Sequence, residues 1–430
     1  MKYVVNPSTV SGETLAPPSK SHTLRAILFA SLAHGTSTIT NPLMSSDTEA
    51  MTDACKKLGA FLEIQQNHLV IHGNPQKFFN KPALINVGNS GITLRFLTAI
   101  AALSKYPITF TGDPFIRRRP MNPLLHSLQS AGAQINLGAD TRKLFSISNL
   151  NTSSKINFSV DGSDSQFVSA YLIMLPLRKQ DSTLSVLRPG ELPWVNLTLD
   201  WLKKLEIKIT TNDSRTLFTI PGSQRYRPFS YSVPGDFSSA AFLLGAILLA
   251  GDKTNSSVIH NLNLEDPQGD KKLFHLLQTA GADINFKKHS VFASSKQTWS
   301  GFSIDVNPFI DAVPILSVLA LFAKTPSRIY NAGVAKTKEC DRLECTAKEL
   351  KKMGAKIFVR NNDELIIYPS KLKGTHVYSH NDHRLAMALT VAALKAKGST
   401  VIHQSECVKK TFPNFLENLS KIGVTLHEES

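Results

Sequence analysis

The stretch Lys56-Lys57-Leu58-Gly59-Ala60 returns in similar form five more times along the sequence. Each copy follows an apolar pattern of helical period and leads into residues that alternate between apolar and polar. A glycine at the end of a helical pattern predicts a left-handed helix end, and the alternation predicts a strand. The sequence therefore predicts six helix–glycine–strand joints, with Glu206 in the place of glycine once, at Gly59, Gly132, Glu206, Gly281, Gly354 and Gly423.

The spacing of the six joints predicts the architecture. Successive joints are 73, 74, 75, 73 and 69 residues apart. A near-constant interval indicates repeated units, here of about 70 residues, each of which mixes helices and strands. Three units in each half give two similar domains, and Pro228 and Pro234 mark a break near the middle of the chain.

Composition narrows the class of protein. A chain of 430 residues is long for one core and suits two large domains. No apolar run approaches the roughly 18 residues of a membrane helix, and the first residues lack the apolar core of a signal peptide. The four cysteines have no paired metal-ligand spacing and are predicted to be reduced thiols of a cytoplasmic protein. The formal charge of +15 predicts anionic partners.

A candidate anion site lies in Pro17-Pro18-Ser19-Lys20-Ser21-His22-Thr23-Leu24-Arg25. The prolines end an extended segment, and Ser19 or Ser21 is expected to cap the helix that follows. Free N–H groups and a partial positive charge at that helix start, beside Lys20, Ser21 and Arg25, favour a bound phosphate or carboxylate. The alternative is an ordinary capped helix with two solvated bases.

Comparable junctions precede other apolar helices. Asp311 stands at such a helix start, where it is either a favourable cap or a general base for a substrate hydroxyl. The charges of 336–342 belong either to a solvated helix face or to a site that pairs anions with a proton-transfer carboxylate. No nucleotide-binding loop and no metal-ligand motif is present in the sequence, so we expect neither a metal nor an organic cofactor.

As an ordered set these motifs resemble the EPSP synthase (3-phosphoshikimate 1-carboxyvinyltransferase) family over almost the whole chain. The motifs that carry the resemblance are PPSKSHTLR (17–25), GNSGITLR (88–95), RRRPM (117–121), DSQF (164–167), GDFSSAA (235–241), DAVP (311–314), KECDR (338–342), NDHR (381–384) and KTFP (410–413). The resemblance implies an α/β (α+β) fold of two similar domains, each of three βαβαββ units around a pseudo-threefold axis. This inside-out α/β barrel would hold its active site in the interdomain cleft. The implied domains are residues 19–232 and residues 1–18 with 233–430.

The resemblance also implies the reaction. The enolpyruvyl group of phosphoenolpyruvate would pass to the 5-hydroxyl of shikimate 3-phosphate, with release of phosphate, in the shikimate pathway of aromatic amino acid biosynthesis. It implies a cytoplasmic monomer that needs no cofactor and binds neither nucleic acid nor membrane. Asp311 would be the base, Glu339 and Lys20 the proton-transfer partners, and His383 an assisting group.

The same motifs imply the contacts to each substrate. The resemblance implies that shikimate 3-phosphate is held by Lys20, Ser21, Arg25, Ser165, Gln166, Asp311 and Lys338. It implies that phosphoenolpyruvate is held by Lys20, Gly91, Arg119, Gln166, Arg342, Arg384 and Lys410.

The sequence departs from the family pattern at a few places. Asp164, Glu191 and Trp194 stand where members of the family have Ser, Ser and Tyr, and neither they nor Asn331 receive a role. Ile92 and Phe96 replace Thr and Pro of other members. A branched side chain behind Gly91 predicts reduced sensitivity to glyphosate, the known inhibitor of the family.

Other functions also fit parts of the sequence. A sister enzyme transfers enolpyruvyl to UDP-N-acetylglucosamine, but Lys20-Ser21, Asp164-Ser165-Gln166 and the lack of a cysteine in 117–120 argue against it. The charge of +15 also suits an RNA-end-processing or nucleic-acid-binding protein built on related repeats. A repeat scaffold without activity would leave the Lys, Arg and Asp motifs unexplained.

Overall fold

The computed structural model describes residues 1–78, 80–137, 143–151 and 154–429. The chain forms two compact units. A continuous unit consists of Ser19–Val233, and a discontinuous unit joins Met1–Pro18 to Pro234–Ser430.

The described residues form strands and helices in regular succession. The strands are β1 (Lys2–Val5), β2 (Glu13–Leu15), β3 (Gly35–Thr40), β4 (Phe61–Gln65), β5 (His68–Gly73), β6 (Ala83–Asn86), β7 (Ile108–Thr111), β8 (Gln134–Asn136), β9 (Phe145–Ser148), β10 (Ile156–Asp161), β11 (Ser182–Leu187), β12 (Thr210–Thr211), β13 (Leu217–Ile220), β14 (Ser230–Ser232), β15 (Ser257–His260), β16 (Asp283–Lys287), β17 (Ser290–Ser294), β18 (Ser303–Asp305), β19 (Ser327–Tyr330), β20 (Lys356–Arg360), β21 (Glu364–Tyr368), β22 (His376–Tyr378), β23 (Thr400–His403) and β24 (Leu426–Glu429). The α-helices are α1 (Lys20–Leu32), α2 (Ser46–Leu58), α3 (Gly91–Ala101), α4 (Asn122–Ser130), α5 (Ser165–Met174), α6 (Leu192–Lys204), α7 (Phe237–Ala250), α8 (Lys271–Thr279), α9 (Val313–Ala320), α10 (Arg342–Lys352), α11 (His383–Ala393) and α12 (Phe415–Lys421). Short 3₁₀ helices lie at Ile116–Arg118, Leu175–Leu177, Asn307–Ala312, Gly333–Thr337 and Ser405–Lys410.

The strands form six four-stranded sheets that share one topology. In the sheet of β6, β7, β9 and β8, the first two strands are parallel, and β9 then pairs antiparallel with both β7 and β8. The other five sheets repeat this order. The six units of strands and helices that the joints predict are thereby confirmed, three in the continuous unit and three in the discontinuous one.

Three sheets are completed by strands that are distant in sequence, one of them by β2, which pairs in parallel with β15. In the continuous unit, β14 pairs in parallel with β3, which lies about 190 residues earlier. In the discontinuous unit, β1 lies between β23 and β24 and pairs antiparallel with both. The chain leaves that unit after Pro18 and returns to it at Pro234, and Pro18 bridges Gly235 at this point.

The helices divide into two kinds. Odd-numbered helices are buried around most of their circumference, and all fourteen residues of α7 are buried. Even-numbered helices, such as α2, bury one face only. A helix that is apolar all round belongs in a core, and the odd-numbered helices indeed contribute to one hydrophobic core in each unit. No α-helix among the described residues has the length and apolar character needed to span a membrane.

The predicted helix ends adopt left-handed backbone geometry. Five glycines, at the positions named above, have φ between +95° and +114°. Glu206 takes the same region with φ of +59° although it carries a side chain. The expected strands follow: Ile135 lies in β8, and Ile357 and Val359 lie in β20, whereas Leu137 lies just beyond the end of β8.

Candidate active site

The first candidate site residues lie at the start of α1. Ser19 caps this helix and accepts a hydrogen bond from the His22 N–H at 3.5 Å, so the cap is Ser19 rather than Ser21. Lys20 Nζ lies 3.1 Å from Asp47 Oδ2. Arg25 is buried, and its Nε donates to Thr198 Oγ1 at 3.0 Å. Burial lowers the pKa of Arg25 to about 9.

Arg95 brings together three predicted phosphoenolpyruvate residues in what we call the Arg95 cluster, formed with Gly91, Arg119, Asp164 and Gln166. Its Nη1 donates to Gln166 Oε1 at 2.9 Å, and its Nη2 lies 3.2 Å from Asp164 Oδ2. A Cβ added to Gly91 would lie 2.6 Å from Arg119 Nη1 and 2.9 Å from Arg95 Nη1. Glycine at the first position of α3 therefore leaves room for two guanidinium groups.

Ser165 begins α5, and its donors are engaged by the side chain of Glu191. The Ser165 N–H and hydroxyl donate to Glu191 Oε2 at 3.0 and 2.9 Å. Asp164 caps the same helix by accepting from the Gln166 N–H at 3.0 Å. The α5 start therefore holds a carboxylate in this structure.

Arg342 is the centre of a second group, the Arg342 cluster, in the discontinuous unit. The side chain is 1 % exposed and contacts three carboxylates. Its Nε lies 2.7 Å from Asp382 Oδ2, its Nη1 lies 2.6 Å from Asp311 Oδ1, and its Nη2 lies 2.9 Å from Glu339 Oε2. Sequence segments about 30 and 40 residues away thus converge on the first residue of α10.

Three more basic residues, Arg384, Lys410 and His383, complete the Arg342 cluster. Arg384 Nη2 lies 2.9 Å from Asp311 Oδ2, and Lys410 Nζ lies 2.9 Å from Glu339 Oε1. His383 Nδ1 is 3.9 Å from the same Glu339 oxygen. The structure therefore gathers all the predicted site residues of 311–410, with Lys338 close enough to act electrostatically on Asp311.

The electrostatics of the Arg342 cluster keep Asp311 ionised. Burial would raise the pKa of Asp311, but Arg384, Arg342 and Lys338 outweigh it and hold that pKa well below its usual range. Burial would likewise lower the pKa of Arg342, but its three carboxylate partners raise the pKa above its usual value. Asp311 can therefore accept a proton, provided that its cationic partners are first drawn away.

Comparisons with known proteins identify the family. The family model for EPSP synthase (3-phosphoshikimate 1-carboxyvinyltransferase) matches residues 4–419. The 3-phosphoshikimate 1-carboxyvinyltransferase of Chlamydia felis is 46% identical over 429 residues, covering 100% of this chain and 95% of the relative. The same-named protein of Chlamydia pneumoniae is 46% identical over 432 residues, with the same coverage. The chain belongs to the EPSP synthase family.

The fold of the family is also shown by solved structures. An EPSP synthase from Acinetobacter baumannii superposes with a TM-score of 0.81 and covers 100% of both chains at 23% sequence identity. The predicted α/β fold is therefore confirmed at the level of the whole chain.

A cation does not fit the Arg342 cluster as the structure arranges it. Ligand atoms of Glu339, Asp382 and His383 lie within 4.8 Å of one another, as in a metal site. However, Arg342 and Lys410 already neutralise both carboxylates. The chemistry of this group of side chains favours an anion bound to the bases over a metal bound to the acids.

Arg384 supplies the most direct indication of an anionic ligand. Its side chain is buried, and its Nε and Nη1 donate to no acceptor among the residues that the structure describes. Buried donors are normally hydrogen-bonded, and two unmet donors on a buried guanidinium favour a bound anion such as a carboxylate or phosphate.

Four residues that the structure places beside the candidate site residues have no role predicted from sequence. Arg95 and Asp382 lie inside the motifs GNSGITLR and NDHR, and they pair with Asp164 and Arg342. Asp47 pairs with Lys20 from the start of α2. Asp270 is 1 % exposed at the cap of α8 and accepts from Ser238 Oγ. Burial first, and then Asp311, raise the pKa of Asp270 to about 7.

Proposed function

We propose that this protein transfers the enolpyruvyl group of phosphoenolpyruvate to the 5-hydroxyl of shikimate 3-phosphate, releasing phosphate, in the shikimate pathway. Membership of the EPSP synthase family supports this reaction over the UDP-N-acetylglucosamine and nucleic-acid alternatives. The single observation that carries the proposal is the Arg342 cluster, where an ionised Asp311 lies against two guanidinium groups.

The chemistry needs groups that accept and donate protons. In the proposed sequence Asp311 takes the proton of the 5-hydroxyl as its oxygen attacks C2 of phosphoenolpyruvate. Glu339 or Lys20 delivers a proton to the methylene carbon, with His383 assisting. The tetrahedral intermediate then loses phosphate together with a proton from the former methylene carbon. Only protons and carbon–oxygen bonds change, so the residues suffice without a cofactor.

The lysine and arginine side chains neutralise the negative charge of the substrates. Each substrate carries a carboxylate and a phosphate, which bears a charge of about −2. Fixed cations stabilise such charge throughout the reaction. We propose that phosphoenolpyruvate takes Arg384, Arg342 and Lys410 away from their carboxylates. This exchange raises the pKa of Asp311 toward the range in which it serves as a base, because its cationic neighbours are what lower that pKa.

The remaining assignments are part of the same proposal. We propose that the continuous and discontinuous units are the two domains of the enzyme, and that it is a cytoplasmic monomer. The Arg95 cluster would bind phosphoenolpyruvate through Gly91, Arg119 and Gln166. Lys20 and the α5 start would bind shikimate 3-phosphate.

One assay tests the proposal. Purified protein is mixed with phosphoenolpyruvate, and phosphate release is measured with and without shikimate 3-phosphate. The expected result is release that depends on shikimate 3-phosphate and yields one phosphate per enolpyruvyl ether formed. Release that requires UDP-N-acetylglucosamine instead, or salt-dependent RNA binding with no phosphate release, contradicts it.

A further inference from the structure

Glu191 is a buried carboxylate that the proposed reaction does not use. Only 2 % of the residue is exposed, and Oε2 accepts from both the N–H and the hydroxyl of Ser165. Ser165 is itself buried and is the first residue of the ten-residue helix α5. The carboxylate therefore sits where helix N–H groups and the helix dipole favour an anion.

The backbone that presents Glu191 is strained. Glu191 caps α6 with φ of +47°, a left-handed conformation that costs energy for a residue with a side chain. Arg188 in the same short connection, between β11 and α6, has φ of +51°. Burying a carboxylate is also costly unless it is well paired. Strain of this kind persists where it serves a function, and here it places one carboxylate on Ser165.

The occupied donors are the ones that the proposed function needs. Ser165 is among the residues proposed to hold shikimate 3-phosphate, yet both of its donors are taken by Glu191 Oε2. A phosphate of charge about −2 cannot share these donors with a carboxylate in a buried place, because like charges repel strongly there. One of the two anions has to leave.

We propose that Glu191 is an internal competitor for the phosphate of shikimate 3-phosphate, holding the α5 start until a phosphate monoester displaces it. This inference rests on the proposed function and adds a control of substrate affinity at the same site. The competition acts only on ligands that place an anion at Ser165. It therefore weakens the binding of shikimate 3-phosphate and leaves the binding of unphosphorylated shikimate unaffected.

Two substitutions of Glu191 test the competition in the full-length protein. Glu191→Gln keeps the shape but removes the charge, and Glu191→Ser removes the competing group. Calorimetry measures the Kd of shikimate 3-phosphate and of shikimate for each protein. In the unaltered protein, the hydrogen bonds from Ser165 to the charged Glu191 must break before a phosphate can bind. Without that competing carboxylate, the Kd for shikimate 3-phosphate should be lower by about tenfold or more. The Kd for shikimate should stay within about twofold.

The chain offers a matched control in Glu206. This glutamate bounds the other end of α6, also has a positive φ, and is exposed with its carboxylate on Arg227. Glu206→Gln should therefore change neither Kd. If Glu191→Ser fails to fold, Glu191→Gln still tests the competition, because its side chain keeps an acceptor for Ser165. Thermal melts show whether each variant is folded.

The outcomes separate the two proposals. An unchanged or higher Kd for shikimate 3-phosphate in Glu191→Gln overturns the competition, and so does an equal gain for shikimate. If the unaltered enzyme turns over with shikimate 3-phosphate and either result is found, only the role of Glu191 fails. If the unaltered enzyme neither binds nor uses shikimate 3-phosphate, the proposed function itself fails.

Discussion

At the scale of single residues, Asp311 forms ion pairs with the guanidinium groups of Arg342 and Arg384, and it is the proposed general base. Asp311→Asn keeps the shape of the side chain but cannot accept a proton. We expect kcat to fall about 10²- to 10⁴-fold, the usual loss when a general base is removed, with shikimate 3-phosphate binding still measurable. Phosphate release and calorimetry check the two parts. Asp213→Asn, at an exposed position, is the control. Near-normal turnover of Asp311→Asn would rule out the base assignment.

Asp270 predicts a pH dependence of stability. Its pKa of about 7 in the folded protein lies above the ordinary value of 3.8. The folded protein holds the proton of Asp270 more tightly than the unfolded protein does, and this difference stabilises the fold at low pH. The stabilisation is lost as the pH rises through the window between the ordinary pKa of 3.8 and the folded-state pKa of about 7. Asp270→Asn cannot ionise, so it should gain stability relative to the unaltered protein across that window, by at most about 1.4 kcal/mol per pH unit.

Urea unfolding at about pH 5 and about pH 7 measures this difference. The groups that face Asp270 are Ser238 and Asp236 of the α7 start, Asp311, and Arg384. Asp311 has its own pKa far below the window and so keeps one charge throughout. A stability difference between variant and unaltered protein that does not vary with pH would show that Asp270 does not titrate there.

Side chains were predictable from sequence where a short motif contains them. Lys20, Gly91 and Arg384 all lie at helix starts, and a helix start is recognisable locally. The partners of these side chains were not predictable, because they come from distant segments. Asp382 meets Arg342 across 40 residues, and Arg95 meets Gln166 across 71. Asp270 carried no signal at all, since an aspartate before a helix is ordinarily a cap.

At the scale of secondary-structure elements, the left-handed helix ends predict the effect of a side chain on stability. Gly281 has φ of +105°, and a Cβ there would meet no atom within 4 Å. Gly281→Ala should still lower the free energy of unfolding by about 1 kcal/mol, because the backbone conformation itself is unfavourable for alanine. Urea unfolding measures the loss. Glu206→Ala is the control, since a side chain is already accommodated there, and it should change stability by less than about 0.5 kcal/mol. Equal stability of Gly281→Ala and the unaltered protein would contradict this account.

The repeat could be predicted at this scale because each helix–glycine–strand joint is a local signal. The six joints predict the six sheets of the structure. Strands that complete a sheet from a distant part of the sequence were not predictable. β14 has three residues and β1 has four, too few for a clear alternation, and their partners β3, β23 and β24 lie far away in sequence. Pairing of that kind depends on the tertiary fold.

At the scale of the whole molecule, the discontinuous unit depends on its first segment. Residues 1–18 supply β1 and β2, one strand to each of two sheets. Deleting these residues should destabilise the discontinuous unit and leave the continuous unit folded, because the continuous unit contains all the strands of its own three sheets. Hydrogen exchange resolved by peptide measures both units. Loss of protection across Ser19–Val233 as well would contradict this expectation.

The position of β1 in the sequence also means that this strand is synthesised long before the strands with which it pairs. A ribosome makes this strand early, but its neighbours β23 and β24 appear about 400 residues later. At the usual rate of about 5–20 residues per second, the nascent strand waits roughly 20–80 seconds with its hydrogen-bonding edges open. The continuous unit can finish folding during that wait. The growing chain thus carries a folded continuous unit and an unpaired strand edge, and we expect chaperones to protect this edge until β24 has been synthesised.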